Sequence, residues 1–401
     1  MRLLGPGRSR RCLVLVLVLL GADQALEWSV LRDGRVFGRR VIPFDPPLFT
    51  AWQARCLADV TAIAAGDGEL RARSILDAEL GWCPRPDQDL GLYVHDWSGS
   101  RIQLGALARS KLPGVRRVAV LGCSFTQGAE VEGRDTWSAL VDARHAELEI
   151  ANLGQGGFGV DQSYLRWRRD GRRLEPDEVW LGFLPESTLR ITAQYPPTLN
   201  HWSTELDFKP VFVLGPDDGL ELVPSPAPDH AALQALLTDQ ERFLAAVGRS
   251  DRWVRRRPAA YAPRGSSWMH WFACTRLLVT WLESGERDPA PYLRDREGEV
   301  YRLLRALVLG LAHEATETGA RFRLILLPSL PDLERARGPD GAYWEGLLAD
   351  LAARGIECID TTAALLAAGA DTEPGFWMPG QHYSPAANRV VAERLEGVLS
   401  H

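Results

Sequence analysis

The sequence lacks the residue spacings that bind metals. Its six cysteines form no CxxC pair, and its eight histidines include no HxH or HExxH spacing. Because metal sites are often built from such closely spaced ligands, we expect no metal and no other cofactor. A long basic stripe with interleaved aromatic residues is also missing, and the net charge is −6. Nucleic acid is therefore not an expected partner.

Internal repeats and long low-complexity tracts are absent too, which excludes a solenoid or a largely disordered chain. The 401 residues are 46% hydrophobic and 24% charged, so the chain can bury a sizeable core in one large domain or two. The fourteen tryptophans are expected mainly in that core rather than on a carbohydrate-binding surface. The sequence leaves the oligomeric state open.

The N-terminal segment looks like a targeting signal. Arginines at positions 2, 8, 10 and 11 precede an apolar run over residues 12–22, which is short for a membrane span but well sized for the core of a signal peptide. We predict that residues 1–26 are a signal peptide or an uncleaved membrane anchor, with a buried strand as the alternative. This predicts an exported protein that is periplasmic, in the cell envelope or extracellular, with membrane contact only through this segment.

Export places the remaining cysteines in an oxidising compartment. Five cysteines follow the apolar run, so at least one must stay unpaired. Cys56 and Cys83 are the most natural pair for a disulfide.

Residues 27–113 read as an N-terminal extension, with a helix over 48–66 and a loop over 79–91. From residue 114 onward, apolar strands alternate with amphipathic helices: strands over 115–122, 148–154 and 177–187, and helices over 135–148 and 161–174. This alternation predicts a three-layer α/β/α fold with a mostly parallel central sheet. The arginine-rich stretch over 166–173 is expected to be a solvated helix face and turn.

An insertion of about 205–300 interrupts this rhythm. Residues 209–226 contain two alternating runs around an Asp-Asp-Gly turn, which predicts a hairpin. Helical stretches follow over 230–248 and 266–284. We expect the insertion to cover the functional site as a cap. The α/β pattern then resumes, with helices over 299–319, 342–355 and 384–399 and strands over 321–328 and 356–362. The predicted domain is 114–401.

The stretch RRVAVLGCSFTQG, residues 116–128, ends a predicted buried strand on a serine. Ser124 can be a helix N-cap, a role that serine fills well, or a nucleophile at the edge of the sheet. Ligands of open parallel sheets bind at the carboxyl ends of the strands. Two other polar segments follow strand ends, NLGQGGFG at 152–159 and LPES at 184–187, and a loop at 376–388 carries His382.

Four segments in this order resemble the SGNH/GDSL hydrolases: GCSFTQG, NLGQGGFGVDQ, EVWLGFLPES and GQHYSPAAN. The hairpin and the LGW at residues 80–82 are similar to an envelope-associated branch of that superfamily. The resemblance extends from residue 81 to the C-terminus. It implies the flavodoxin-like three-layer fold of these hydrolases and acyl transfer through a serine.

The resemblance also implies roles for single residues. Ser124 would be the nucleophile and His382 the base that takes its proton. The N–H groups of Ser124 and Gly157 would bind the oxyanion, together with a side chain at the position of Glu186. Supporting positions are Cys123, Asn152, Gly154 and Gln162, the last as a brace of the glycine loop, with a surface helix position as its alternative.

This sequence departs from the family pattern at three places. Cys123 replaces an aspartate that braces the turn. Glu186 stands where the family has an oxyanion asparagine, and a carboxylate has only acceptors. Pro379 and Gly380 occupy the positions where the family has the acid that orients the histidine. Two features can compensate. One is a protonated Glu186 in a dry pocket that donates a hydrogen bond. The other, for His382, is a carboxylate from elsewhere, with Glu373 as a candidate near in sequence, or the carbonyl of a neighbouring loop residue.

The predicted function is a serine esterase, an O-acyl hydrolase or acyltransferase that acts on an extracellular or envelope ester, for example an acetylated carbohydrate. The alternative is a catalytically silent protein of the same fold that binds glycan or scaffolds an envelope assembly. A third interpretation is dinucleotide binding, because residues 154–159 match GxGxxG between a strand and a helix.

Overall fold

The computed structural model describes residues 6–33, 35–36, 39–40, 46–66, 75–203, 205–261 and 272–399. The chain forms two compact units. The first, here called the helical unit, comprises Met1–Gly68, Tyr195–Leu206 and His230–Arg287. The second, the α/β unit, comprises Glu69–Gln194, Asp207–Asp229 and Asp288–His401.

The strands are short outside the central sheet. In chain order they are β1 Arg35–Val36, β2 Arg39–Arg40, β3 Ile75–Asp77, β4 Gly81–Cys83, β5 Asp89–Leu90, β6 Tyr93–Val94, β7 Arg116–Gly122, β8 Leu148–Asn152, β9 Glu178–Phe183, β10 Val211–Leu214, β11 Leu220–Val223, β12 Arg321–Leu326 and β13 Glu357–Asp360.

The α-helices are numbered in the same way. They are α1 Pro6–Asp33, α2 Ala51–Ala64, α3 Ser124–Gln127, α4 Trp137–Asp142, α5 Val160–Arg169, α6 Pro196–Leu199, α7 His230–Thr238, α8 Gln240–Val247, α9 Arg252–Arg256, α10 Pro258–Tyr261, α11 Ala273–Glu286, α12 Pro289–Arg294, α13 Glu299–Glu317, α14 Leu330–Arg337, α15 Glu345–Ala353, α16 Thr362–Ala367 and α17 Pro385–Leu399.

The central sheet of the α/β unit has five parallel strands in the order β13-β12-β9-β7-β8. This confirms the predicted parallel sheet. From β7 the chain moves outward to β8 at one edge of the sheet. It then returns to β9, on the other side of β7, and continues from there to β12 and β13 at the opposite edge. The topological switch therefore lies between β7 and β9, where open α/β sheets bind their ligands.

The strands of the sheet are buried on both faces, which explains their continuous apolar runs. Along β7, Val118 and Val120 belong to one hydrophobic cluster, whereas Leu121 belongs to the other. The first face packs against α4 and α17, and the second against α5 and α13. Since side chains alternate along a strand, this division follows directly from the sequence pattern. Helices thus cover both faces, as the three-layer prediction requires.

The core interpretation of the tryptophans is confirmed for the α/β unit. Its fully buried side chains include Trp82, Trp137, Trp167, Trp180 and Trp344. In the helical unit, however, several tryptophans are exposed: Trp28, Trp52, Trp202 and Trp281.

The helical unit is held by buried polar contacts. Helix α2 is capped by Thr50, whose side chain accepts from the N–H of Gln53. The Gln53 carboxamide donates to the carbonyls of His201 (2.9 Å) and Ser203 (2.8 Å). The predicted helix over 230–248 is divided into α7 and α8, because Asp239 leaves helical geometry and caps α8.

The observed units differ from the predicted domain boundaries. The hairpin β10–β11 was expected inside the insertion, but it belongs to the α/β unit, where it adjoins α13 and α5. Residues 46–66 of the predicted N-terminal extension belong to the helical unit instead. The expectation that the insertion covers the site stays a prediction.

Two local expectations are wrong in part. The stretch over 79–91 includes the paired strands β4 and β5 beside its turns. In the arginine-rich stretch, Arg168, Arg172 and Arg173 are exposed, as expected of a solvated face, but Arg166 is not. Arg166 is 1% exposed and donates to the carbonyl of Gly99 at 2.9 Å, with Asp170 at 3.1 Å from its Nε. The extension thus supplies the acceptor that keeps this cation buried.

The proposed disulfide is absent: Cys56 and Cys83 are both free thiols. Cys83 is buried on β4, where its Sγ donates to Asp77 at 3.3 Å, and burial raises its pKa to about 11. Helix α1 contains the predicted targeting run, and residues 13–20 are exposed. Within the described ranges, no helix combines the length and the apolar character needed to cross a bilayer. The prediction of a signal peptide or anchor remains untested.

Candidate active site

Ser124 is the first residue of α3, directly beyond the end of β7. The N-cap of this helix is Cys123, in an extended conformation and without a side-chain capping bond. The N-cap interpretation of Ser124 is therefore wrong. Its half-buried hydroxyl makes no hydrogen bond to any described residue. As the N–H of a first helical residue, the Ser124 N–H has no partner within the helix.

The glycine loop after β8 has its backbone N–H groups almost fully occupied. Their acceptors, in chain order, are Asn152 Oδ1 for Gly154 (3.0 Å), the Gly122 carbonyl for Gln155 (3.0 Å), Gln127 Oε1 for Gly156 (3.1 Å), the Gln155 carbonyl for Phe158 (3.2 Å) and Gln162 Oε1 for Gly159 (3.2 Å). Within this described loop, the Gly157 N–H alone has no acceptor. Gly157 has φ +81°, a conformation that favours glycine and that the sequence predicted.

This occupancy argues against dinucleotide binding. A GxGxxG loop binds a pyrophosphate through free backbone N–H groups at the start of a helix. Here side-chain amides accept from three of the glycines themselves. The loop therefore offers a pyrophosphate only one free N–H donor. A single oxyanion, which is smaller, can be bound by fewer donors.

Asn152 connects the serine turn to the glycine loop. Its side chain is fully buried. The carboxamide donates to the carbonyl of Thr126 (2.8 Å) and to Ser138 Oγ (3.2 Å), and it accepts from the Gly154 N–H. Asn152 therefore fixes the spacing between α3 and the loop and supports the site without contacting the reacting atoms.

The other supporting positions also stabilise these two segments. The Gln162 carboxamide accepts from Gly159 and donates to the Leu80 carbonyl at 2.7 Å, so Gln162 braces the loop as predicted. Gly154 lies so close to α3 that a Cβ atom at this position would be 2.5 Å from the backbone nitrogen of Gln127. Cys123 is buried at the turn.

His382 is oriented by a carboxylate that the sequence did not reveal. Its Nδ1 lies 2.7 Å from Glu130 Oε2, and Glu130 Oε1 accepts from the Gly380 N–H at 2.7 Å. Burial opposes ionisation of Glu130, but the hydrogen bonds from His382 and Gly380 outweigh it and hold the pKa of this carboxyl below its usual value. The expectation of a carboxylate from elsewhere is met, but Glu373 is the wrong candidate, because it is exposed and Glu130 is bound to the ring.

The loop that carries Glu130 is anchored by the N-terminal extension. Glu130 has φ +69°, and its N–H donates to the Tyr93 hydroxyl at 3.1 Å. The buried Arg101 guanidinium donates to the carbonyls of Gly128 and Val131, both at 2.5 Å, on either side of Glu130. Glu130 follows Ser124 by six positions in GAEVEG, and no sequence signal distinguished it from the neighbouring Glu132.

Ser124 and His382 lie on the same side of the α/β unit. The ring of Phe125, the residue after Ser124, lies 5.4 Å from the His382 ring and 4.8 Å from the Tyr383 ring, measured between centroids. The hydroxyl and the imidazole are not hydrogen-bonded to each other. Catalytic hydrogen bonds are often long without substrate and tighten in the complex.

Glu186 does not meet the expectation of a dry pocket. It lies in a 3₁₀ helix that follows β9, Pro185–Thr192, and its side chain is exposed. Because this side chain is exposed, no dry pocket encloses it, and this part of the expectation is wrong.

The remaining histidines do not assemble a metal site. Among the residues that the structure describes, no cluster of three or more candidate ligands occurs. His95 is buried in the α/β unit and His201 in the helical unit, and His270 lies outside the described residues.

The chain thus combines a five-stranded parallel α/β fold with a serine at the topological switch point of the sheet. No family model and no curated protein matches the chain. Similar solved structures include a lipolytic protein of the G-D-S-L family from Veillonella parvula (11% identity, TM-score 0.36, 72% of this chain and 100% of that one) and a catalytic mutant of an acetylxylan esterase from Geobacillus stearothermophilus (12%, 0.36, 71% and 94%). At these identities and scores, the likeness assigns neither a family nor an activity.

Proposed function

We propose that this protein is a serine esterase of SGNH/GDSL type, which cleaves or transfers an O-acyl group through an acyl-enzyme. The hydrogen bond between Glu130 and His382 carries the proposal. It supplies the acid that was missing from the sequence segment around the histidine, and it lies beside the helix that begins with Ser124. The ordered motifs and the parallel sheet support the same assignment.

In the proposed mechanism, Ser124 Oγ attacks the ester carbonyl and its proton moves to His382 Nε2. The bond to Glu130 at Nδ1 leaves Nε2 free to accept that proton, and the carboxylate stabilises the imidazolium that forms. The carbonyl oxygen becomes an oxyanion near the N–H groups of Ser124 and Gly157, which need no reorganisation because they have no other acceptor. His382 then protonates the leaving alcohol, and water or a second alcohol releases the acyl group.

The substrate assignment follows from the predicted location. The arginines and the apolar run at the N-terminus favour an exported protein, and therefore an ester of the envelope or the extracellular space, such as an acetylated carbohydrate. Small-molecule or carbohydrate esters are the proposed partners.

The test is covalent labelling of the full-length protein with a serine-directed fluorophosphonate, read by mass spectrometry of the modified peptide. We expect labelling at Ser124 that is lost in Ser124→Ala and kept in Ser110→Ala, a matched change at an exposed serine. The same variants are assayed with p-nitrophenyl acetate. Absence of both labelling and hydrolysis in the wild type would refute the enzyme and favour a silent binding protein.

A further inference from the structure

The carboxamide of Gln155 has a hydrogen-bond partner for its oxygen but none, among the described residues, for its nitrogen. Gln155 lies in the glycine loop, two residues before Gly157, and is 4% exposed. Its Oε1 faces Gln127 Nε2 at 3.4 Å. Its Nε2 makes no hydrogen bond to any described residue. Among the described residues this nitrogen is not one of the fully enclosed polar atoms that lack a partner, so its N–H groups are open to the surface and available to a ligand.

The orientation of this amide follows from its neighbours. The Gly156 N–H can only donate, so the oxygen of the Gln127 carboxamide must face it, at 3.1 Å. The Gln127 nitrogen then points to Gln155 and requires an oxygen there. The carboxamides of Gln127 and Gln155 thus form a relay, that is, a chain of hydrogen bonds that starts at the Gly156 N–H. The Gln155 nitrogen is the free end of this relay. A flip of either amide would place two donors or two acceptors against each other.

The position of the relay links both candidate oxyanion donors. Gln127 ends α3, the helix that begins with Ser124, and Gln155 belongs to the loop that presents Gly157. These segments follow β7 and β8, which are adjacent parallel strands. The Gln155 carboxamide therefore connects the end of α3 to the glycine loop, and these are the two segments that carry the free N–H groups.

We propose that Gln155 Nε2 donates the third hydrogen bond to the oxyanion, in place of the asparagine that this chain lacks after β9. The inference rests on the proposed function. In the acylation step, the bond between Ser124 Oγ and the carbonyl carbon forms, the carbonyl π pair moves to the oxygen, and the Ser124 proton moves to His382. Gln155 forms no covalent bond and transfers no proton. The exposed Glu186 carboxylate, which accepts hydrogen bonds, does not serve this purpose.

The experiment compares wild type, Gln155→Leu and Gln155→Glu with p-nitrophenyl acetate as substrate and phenylboronic acid as a tetrahedral transition-state analogue. Loss of one oxyanion donor lowers turnover by about 10²–10³-fold in related chemistry. We expect that loss in kcat for both variants, little change in KM, and a parallel loss of affinity for the boronic acid. Gln155→Glu keeps the shape and the acceptor of the side chain, so it separates the missing donor from a packing defect. Gln234→Leu, a half-buried glutamine of the helical unit, is the control with unchanged kinetics.

The outcomes distinguish this inference from the proposed function. If the wild type is labelled and active while both Gln155 variants keep wild-type kcat and boronic acid affinity, Gln155 is not a donor and the esterase proposal stands. An increase of activity in Glu186→Asn would place the third donor after β9 and overturn the inference as well. A wild type without labelling or hydrolysis overturns both.

Discussion

Glu130 and His382 are separated by 252 positions in the sequence, and their side chains meet at 2.7 Å. The same carboxylate accepts from the Gly380 N–H, so each of its oxygens has one donor from the histidine loop. The loop that follows α3 thereby positions the histidine that faces it. Each prediction below tests one part of this arrangement or of the scaffold beneath it.

The first prediction concerns Glu130 itself. In Glu130→Gln, one of the two donors, His382 or Gly380, must face an NH₂ group, and the negative charge opposite the imidazolium is lost. Replacement of a triad acid by its amide lowers kcat by up to about 10⁴-fold. We expect a comparable fall in p-nitrophenyl acetate hydrolysis, with KM changed much less.

The chain offers a matched control for this change. Glu147 also pairs with a histidine Nδ1, that of His145 at 3.1 Å, on the surface of the α/β unit. Glu147→Gln should therefore leave the kinetics unchanged. Equal activity in both variants would show that the bond between Glu130 and His382 only holds the loop.

The second prediction separates the donor role of Asn152 from its volume. In Asn152→Asp the shape is kept, but a carboxylate faces the carbonyl of Thr126 and can no longer donate to it. A buried acceptor without its donor costs about 1–3 kcal/mol. We expect a lower unfolding midpoint in urea and slower labelling of Ser124. The variant Asn200→Asp, at an exposed asparagine of the helical unit, should retain wild-type labelling. Wild-type behaviour of Asn152→Asp would show that the spacing of helix and loop does not depend on this amide.

The third prediction uses pH. Burial raises the pKa of Asp142 to about 6, with the Ile150 N–H opposing and Glu149 adding to the shift. An acid whose pKa is higher in the folded state binds protons more tightly there. The contribution of Asp142 to stability is therefore fully present below the ordinary aspartate pKa, and it is lost as the pH rises through about 6.

In Asp142→Asn this titration is absent. The free energy of unfolding of the variant, minus that of the wild type, should increase between about pH 4 and about pH 7. Urea unfolding at a series of pH values measures it, with Asp217→Asn at an exposed turn as the control. A difference that stays constant with pH would contradict the raised pKa.

The parts of the site that sequence reasoning found are those that depend on local order. Ser124 follows an apolar run that must be a buried strand, and Gly157 follows the next strand, so the parallel topology brings both to one edge. The positive φ of Gly157 follows from its place in a tight loop. These inferences need no knowledge of tertiary contacts.

The parts that it missed depend on tertiary contacts. Arg101 and Tyr93, from the extension, hold the loop on which Glu130 meets His382. Arg166 was expected to be solvated because the sequence does not display the Gly99 carbonyl that accepts from it. In each case a segment distant in the sequence supplies the partner that positions a charged residue.

The last prediction concerns the scaffold at the opposite end of the strands. Glu178, at the start of β9, is 4% exposed and Arg323, on β12, is 3% exposed; the two form a buried ion pair. Glu178 also accepts from Trp180 Nε1 at 2.9 Å. Arg116, whose side chain is 49% exposed, also contacts Glu178 at 3.0 Å. Removal of one partner of a fully buried pair costs about 3–5 kcal/mol, and the remaining contact with Arg116 should reduce that cost here.

We expect Arg323→Met to lower the urea midpoint of the full chain strongly, and the double variant Glu178→Leu/Arg323→Met to restore much of the loss, because a buried pair can be replaced by apolar residues at little net cost. Arg321→Met, which removes an exposed partner of Glu357, should cost less than about 1 kcal/mol. A single Arg323 variant as stable as the double variant would mean that Arg116 alone compensates the charge of Glu178 in the folded protein. Since this network lies at the amino ends of the strands and Ser124 beyond the carboxyl ends, the double variant should also keep wild-type labelling at Ser124.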